Sequence, residues 1–480
     1  MIEPVPPQDD KRQPLLSASM PESSAVLPPY SDIPRYVDDP ERGEPLYVDI
    51  QAMVQPVTPQ KKRSCARRCH RFCLALCGTL LLLICLPVFL RHLTWFRDFT
   101  DSYMETEIDP VMLQDCVEYG SWMKGRMEWA NPHHPLRDLS YIASTSFELP
   151  LDSDLLYMIS RGALSHGTVS ISDGGEQGSD KMEVHVRVQY AHEDALEKTK
   201  VCLLKPGENQ NGVGIFSPPY MVGRKWHTNV EIDVKLPRAS GIPIFVKKFE
   251  TDMPLFKHNV FNMQETAVFN SISLRTSNMP IMVTSLAAGE AALETTNGII
   301  EGTFKTETSL KLQTSNAPIK AEVYMLNADN GNPTQLWMHT SNGRVDAISE
   351  LISTSESGTN GTFEIDARTS NSPLYISTRS APIDHALDLT ALTSNSPAAV
   401  SLHTTWEGSF DLRSSSLFTP NVDAHTAVPD PAGRNRKRGA LVSGVQRGVV
   451  EGFTEWTRGE GRKVGQAKVA TSNSPLTFSF

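Results

Sequence analysis

Beyond one crowded stretch the chain has almost no cysteine. Of seven, Cys65, Cys69, Cys73, Cys77 and Cys85 fall together, and only Cys116 and Cys202 stand further on. That leaves at most one disulfide for the rest of the chain, and these two are free to form it if they meet an oxidising compartment. Catalytic signatures are missing as well: there is no HExxH, no GxSxG, no GxxxxGK and no paired CxxC. Those are the local signatures of zincin proteases, nucleophile elbows and phosphate-binding loops. Positive charge is scarce. A formal net charge of -10 with no separate basic domain argues against a nucleic-acid partner.

Metal chemistry is little better supplied. His133-His134, the only adjacent histidine pair, has no further ligands nearby in sequence and reads as a loop. His70 beside the first cysteines has no second ligand cluster. The stretch Asn327 to Asn332 (NADNGN) has the composition of a calcium loop, but its Gly comes one place early and no distal Glu follows in register. A turn is the better reading, and no metal or cofactor is expected.

Large apolar residues are few in residues 1–60, which instead hold many prolines and an acidic excess. Such a segment cannot bury enough surface to offset its ordering entropy, so it reads as a disordered tail. Three short phrases in it have the form of sorting signals: Tyr30 to Ile33 (YSDI), Tyr47 to Ile50 (YVDI), and Leu15-Leu16 behind Asp9 and Asp10. Leu27-Pro28-Pro29-Tyr30 has the form of a WW-domain ligand. Sorting adaptors or WW-domain proteins are the partners these imply; an inert tail is the alternative.

Charge vanishes altogether from FCLALCGTLLLLICLPVFL, Phe72 to Leu90. At about 1.5 Å per residue it spans a hydrocarbon core of roughly 30 Å, so residues 72–92 are expected to form one transmembrane helix in membrane lipid. A basic segment, residues 61–71, precedes it, and acidic residues from Asp98 to Asp109 follow. The positive-inside rule then places the N-terminus in the cytoplasm and everything from about 98 onward in a lumen or outside the cell, at the plasma membrane or in an endosome or vacuole. Four of the membrane-proximal cysteines recur at i, i+4, which suits S-acylation or a small-residue packing stripe equally.

What the ectodomain has in abundance is one phrase. Asn278, Asn297, Asn316, Asn342, Asn371, Asn395 and Asn473 each have Thr two places earlier, and each is followed by Gly or by a residue that precedes Pro. The first six recur every 19 to 29 residues, the range of stacked repeats. In SLKLQTSNAPIKAEV, Ser309 to Val323, apolar residues alternate on both sides of the phrase. Each unit therefore reads as strand, corner, strand with one buried face. Asn tolerates a left-handed backbone and Gly or Pro punctuates the bend; stacked Asn or Thr would satisfy one another in ladders.

The expected fold is all-β, a repetitive β-solenoid (β-helix-like) ectodomain behind a transmembrane helix and a disordered tail; a sandwich of hairpins is the competing fold. Residues 98–139 read as a linker or stalk, 140–270 as leading strands that cap or begin the stack, 271–417 as the repeat, 418–462 as an irregular insertion and 463–480 as closing strands. Within the insertion, Arg434 to Arg438 (RNRKR) is expected to be a solvated loop, with dibasic processing as the minor possibility. Asn360-Gly-Thr362 is the sole glycosylation sequon and falls in a loop between units.

The phrases TSNMPI, TSNAPI, TSNGRV, TSNSPL, WEGSFDLRSS and the last TSNSPLTF resemble those of fungal single-pass membrane proteins of uncharacterised function. Their ectodomains are similar to bacterial "putative adhesin" domains built on a TSNG repeat. The resemblance spans roughly residues 60–480 and implies a β-solenoid; it brings no activity, cofactor or catalytic residue. TRSAPI, at Ser380, lacks the Asn and departs from the pattern.

The function this favours is a non-enzymatic adhesion or ligand-binding surface for glycans or proteins. The first alternative is a lumenal cargo or sorting receptor. The second is a β-helical polysaccharide hydrolase or lyase, in which carboxylates such as Glu364, Asp366, Asp384 and Asp388 would serve as acid and base from neighbouring units.

Overall fold

The computed structural model describes residues 107–127, 136, 138–221, 223–456 and 464–480. The N-terminal tail, the basic segment and the expected transmembrane segment at 72–92 lie outside these residues. Among the described residues no helix is long and apolar enough to cross a membrane. They are all-β, joined in one long repetitive sheet, with a short helix Glu193–Glu197 and two 3-10 turns besides.

Each repeat obeys a period of two. Leu310 and Leu312 are buried and alternate with Lys311 and Gln313; past the corner, Ile319, Ala321, Val323 and Met325 are buried and alternate with Lys320, Glu322 and Tyr324. Each fully buried Leu or Ile contributes roughly 1.5–3 kcal/mol. Both arms turn their apolar sides to one shared core.

The strands pair with equivalent strands of the neighbouring repeat, and they do so in parallel. Strands ahead of the corner form a first ladder: Ile244–Asp252, Ala267–Arg275, 287–294, 309–313, Thr334–His339, Thr362–Arg368 and Ala386–Leu392. Strands after it form a second: Phe256–Asn262, 281–285, 300–306, Ile319–Asn327, Val345–Ser353, Leu374–Ser380 and Ala398–Ser401. Hairpins would have paired antiparallel, so the sandwich of hairpins does not describe this region. Ile281–Glu294 and Ile300–Gln313 pass unbroken from the second ladder into the first. Elsewhere that return is made by loops, including 328–333 and 354–361, on the edge opposite the corners. Ser380 closes a second-ladder strand on this return edge, which is why TRSAPI has no corner Asn to supply.

At the corners the seven asparagines stand one above another. Asn297 Nδ2 donates to Asn278 Oδ1 at 2.6 Å, Asn316 to Asn297 at 2.7 Å, Asn342 to Asn316 at 2.7 Å, Asn371 to Asn342 at 2.6 Å, Asn395 to Asn371 at 2.8 Å and Asn473 to Asn395 at 2.9 Å. Each side chain is exposed. Beneath this row lies a buried one. The hydroxyl of Thr314 donates to Gly298 O at 3.2 Å, that of Thr340 to Ala317 O at 3.2 Å and that of Thr369 to Gly343 O at 2.9 Å, each reaching the preceding repeat.

One part of the corner reading needs correction: none of the seven asparagines has a positive φ. Asn is there to stack. Gly is there for closeness, because a Cβ at Gly298 would lie 1.9 Å from Met279 O and one at Gly343 1.7 Å from Ala317 O.

Parallel stacking begins well before residue 271. The unit formed by Leu155–Arg161 and Gly167–Ser172 lies against Ile244–Asp252 and Phe256–Asn262. Outside it, though later in sequence, lies the unit of Gln210–Phe216 and Thr228–Lys235. Antiparallel strands then cap both ladders: Lys181–Tyr190, Tyr141–Pro150 and Met123–Arg126 on one, Lys200–Leu204 and Cys116–Tyr119 on the other. Residues 107–127, read as stalk, are therefore part of this cap. Cys116 and Cys202 are disulfide-bonded, with Cα atoms 5.6 Å apart.

The far end also departs from the sequence reading. Gly465–Ala470 and Leu476–Ser479 do not close the stack from outside; they are inserted between the unit at 386–401 and the unit at 408–423, in parallel with both. The rings of Trp406, Phe410, Phe478 and Phe480 interlock there, Phe478 and Phe480 at 5.4 Å and Trp406 and Phe478 at 5.9 Å. The insertion at 418–462 is not irregular throughout either, since it contains the antiparallel pair Arg438–Gln446 and Val449–Trp456.

Arg434 to Arg438 is only in part a solvated loop: Arg434, Asn435 and Lys437 are exposed, whereas Arg436 and Arg438 turn inward. Arg436 clasps Asp430 at 2.8 Å with side chains only 9% and 2% exposed. Arg438 is buried, donates to Trp406 O at 3.0 Å and lies over the rings of Trp456 and Phe480. Burial pulls its guanidinium down to about 10. Docking this segment on the last unit withdraws both arginines from water, and Asp430 and backbone carbonyls take the place of solvent.

Candidate binding surface

Because neighbouring units are in parallel register, outward side chains of the second ladder line up in columns. Met282, Glu301, Lys320, Asp346 and Tyr375 make one column; Thr303, Glu322, Ile348 and Ser377 make the next. Adjacent members are about 4.8 Å apart, the spacing of strands. Across these columns runs an open groove of about 460 Å³ with Met282, Thr303, Lys320, Glu322, Asp346 and Ile348 among its lining residues.

The charges of this face are tied to one another across repeats. Lys320 Nζ meets Glu301 at 2.7 Å. Arg379 meets Glu322 at 2.7 Å and Glu350 at 3.0 Å, one guanidinium clamping two other repeats. Arg344 pairs with Asp346 at 2.7 Å and lies 4.5 Å over the Tyr375 ring. Tyr324 donates to Glu322 at 3.4 Å, and burial first, then the Glu322 and Glu350 carboxylates, push its phenol above its ordinary range. Exposed pairs of this sort contribute at most about 1 kcal/mol each; their effect is to hold a flat face in one arrangement.

The carboxylates considered for hydrolysis are distributed differently. Glu364 and Asp388 are register partners on neighbouring strands of the first ladder. Gln335 Nε2 donates to Glu364 at 2.8 Å, and the Gln466 N–H donates to Asp388 at 3.1 Å. Asp366 is held by both ends of the Arg368 guanidinium, at 2.7 and 2.6 Å, and by His339 at 3.3 Å. Its register partner is Trp337, an aromatic neighbour that sequence reading did not place there. Asp384 lies apart from these on the return edge, facing Arg434 at 3.6 Å. So Glu364 and Asp388 are brought together, and Asp366 and Asp384 are each engaged by an arginine.

Asn360 is half-buried on its return loop, in a left-handed conformation with φ 63°, and its N–H donates to Ile383 O at 2.8 Å. Tyr30, Ile33, Tyr47, Ile50, Leu15 and Leu16 lie outside the described residues, as do His133 and His134. Among the described residues no group of three or more His, Cys, Asp or Glu side chains is placed to hold a metal ion. The Glu322–Arg379–Glu350 clamp had no sequence signal. Glu322 and Arg379 are 57 positions apart, and unequal loops hide their common register.

No family model matches the chain, and no curated protein matches it. Among solved structures, a "putative cell adhesion protein" from Clostridium sporogenes aligns with 70% of this chain and 99% of its own, at 10% identity and a TM-score of 0.15. A "putative adhesin" from Parabacteroides distasonis aligns with 54% of this chain and 92% of its own, at 12% identity and a TM-score of 0.22. Similarity at that level carries no functional argument.

Proposed function

We propose that the chain is a single-pass membrane protein whose β-solenoid ectodomain is a non-enzymatic surface for adhesion or ligand binding. The observation that carries this reading is the second-ladder face. It repeats at strand spacing over several units, holds a shallow groove along them, and has its charges paired internally. An extended polymer such as a glycan meets equivalent positions at each step on such a face. The Cys116–Cys202 disulfide supports placing this region in an oxidising compartment, in keeping with a cytoplasmic N-terminus and a transmembrane segment at 72–92 as the anchor.

The test is binding of the ectodomain, from about residue 98 onward, to a panel of cell-wall glycans while released product is assayed. Binding without product, weakened by Glu322→Gln with Arg379→Gln, supports the reading. Turnover that disappears in Asp366→Ala or Asp384→Ala overturns it in favour of a hydrolase or lyase.

A further inference from the structure

A second, separate cavity lies at the N-terminal cap, and none of its lining residues lines the groove of the second-ladder face. Two segments cross the end of the core here, from one ladder to the other. Residues 119–123 pass from Cys116–Tyr119, on the first ladder, to Met123–Arg126, on the second. The helix Glu193–Glu197 connects Lys181–Tyr190 with Lys200–Leu204 in the opposite sense. Between the two crossings is a cavity of about 400 Å³, the size of a small-molecule site.

Its walls are amphipathic. Leu196 and Val201, both 2% exposed, supply buried apolar surface. Trp122 packs against the core and also lines the cavity, while Tyr119 is 53% exposed. Lys124 lines it too but is engaged by Glu193 at 2.6 Å. Lys200 is exposed and, among the described residues, has no carboxylate within ion-pair distance, and Glu197 adds an exposed carboxylate. The wall carrying Tyr119 is held in place covalently, because Tyr119 is the register partner of Cys202, which bonds to Cys116. The Gly120 N–H continues this attachment with a bond to Val201 O at 2.9 Å.

Two aromatic rings, one uncompensated cation and one carboxylate around a cavity of that size suit a particular chemistry. A sugar ring presents C–H groups that pack on aromatic faces, and hydroxyls that donate to a carboxylate. A carboxylated sugar also presents the anion that an unpaired ammonium attracts. We propose that this cap cavity binds a single carboxylated sugar of the hexuronate class, with its ring against Tyr119 and Trp122, a hydroxyl on Glu197 and its carboxylate on Lys200. The site does not depend on the second-ladder face binding anything.

The test uses the full chain in detergent micelles titrated with methyl glucuronide, its methyl ester and methyl glucoside, read by calorimetry and by tryptophan fluorescence. The expected result is saturable binding of the glucuronide at least tenfold tighter than of either neutral sugar. Lys200→Gln should erase that difference without changing the melting temperature, Tyr119→Ala should weaken the glucuronide, and Glu322→Gln with Arg379→Gln should leave its binding intact. No binding of the glucuronide, equal binding of ester and acid, or an unchanged preference in Lys200→Gln overturns the proposal. Because the second-ladder variant is scored separately, failure here leaves the adhesion reading to its own test.

Discussion

Asn316 Nδ2 donates to Asn297 Oδ1 at 2.7 Å across 19 positions of sequence, and Asn297 makes the same bond to Asn278 at the same separation. A side chain that donates to one neighbour and accepts from the other cannot be replaced by one that only accepts. Asn342→Ala removes two exposed bonds, and about 1 kcal/mol or less of stability is expected to go with them. Asn342→Asp is predicted to be worse at neutral pH, since a carboxylate oxygen would then face Asn316 Oδ1. Its deficit should shrink once the acid is protonated, at about pH 4 and below. Urea midpoints of the three proteins at pH 7 and pH 4 check this.

The buried threonine row should matter more than the exposed asparagine row. Thr314 is 3% exposed, and its hydroxyl serves Gly298 O and Thr296 O at 3.2 and 3.3 Å. Thr314→Val keeps the shape and deletes the donor, for an expected loss of about 1–3 kcal/mol. Thr314→Ser should retain most of the stability. Urea denaturation of both variants beside Asn316→Ala gives the ranking.

Two buried imidazoles make the fold sensitive to acid. His258 is fully buried, with Nε2 against Thr251 Oγ1 at 2.8 Å, and His385 is 2% exposed; burial, more than any neighbour, holds each at about 4. The unfolded chain takes up these protons near pH 6.5, before the folded one does. Stability from this source is therefore fully present above about pH 6.5 and is lost as pH falls toward 4, on the order of 3 kcal/mol for each histidine. His258→Gln and His385→Gln should each flatten the melting-temperature profile between pH 6.5 and 4.

Arg436→Gln is expected to lower the melting temperature and expose the segment 430–456 to protease, because it removes the cation that faces the Asp430 carboxylate and leaves it only the backbone N–H groups of Ala432, Arg434 and Arg436. Adding Asp430→Asn should recover part of the loss. Limited proteolysis of the single and double variants tests this.

The repeat was legible in sequence because its signals are local: Thr, Asn and a following Gly or Pro at fixed offsets, with alternating apolar residues on both sides. The reason for Asn was only half legible, since turn propensity and stacking both predict it, and only φ and the neighbouring amides separate them. What could not be read was order along the stack. Parallel strands of the same period fit any neighbour, so nothing in VATSNSPLTF says that it enters between the units at 386–401 and 408–423. The inward turn of Arg436 and Arg438 was equally hidden, because Arg438 meets Trp406 across 32 positions and the path of the loop brings Arg436 onto Asp430. The outer face posed the same difficulty: Glu322 and Arg379 are ordinary surface residues until the register brings them together.

Whether the asparagines stand in one column, with the returning unit inside the stack, can be measured most directly by paired cysteine cross-linking. Asn395 and Asn473 are 78 positions apart and adjacent in the column, whereas Asn342 and Asn473 are separated in it by Asn371 and Asn395. Asn395→Cys with Asn473→Cys should form a disulfide under mild oxidation, identifiable by mass spectrometry. Asn342→Cys with Asn473→Cys should not. Equal cross-linking of both pairs, or none in the first, would contradict the ladder and the fold built on it.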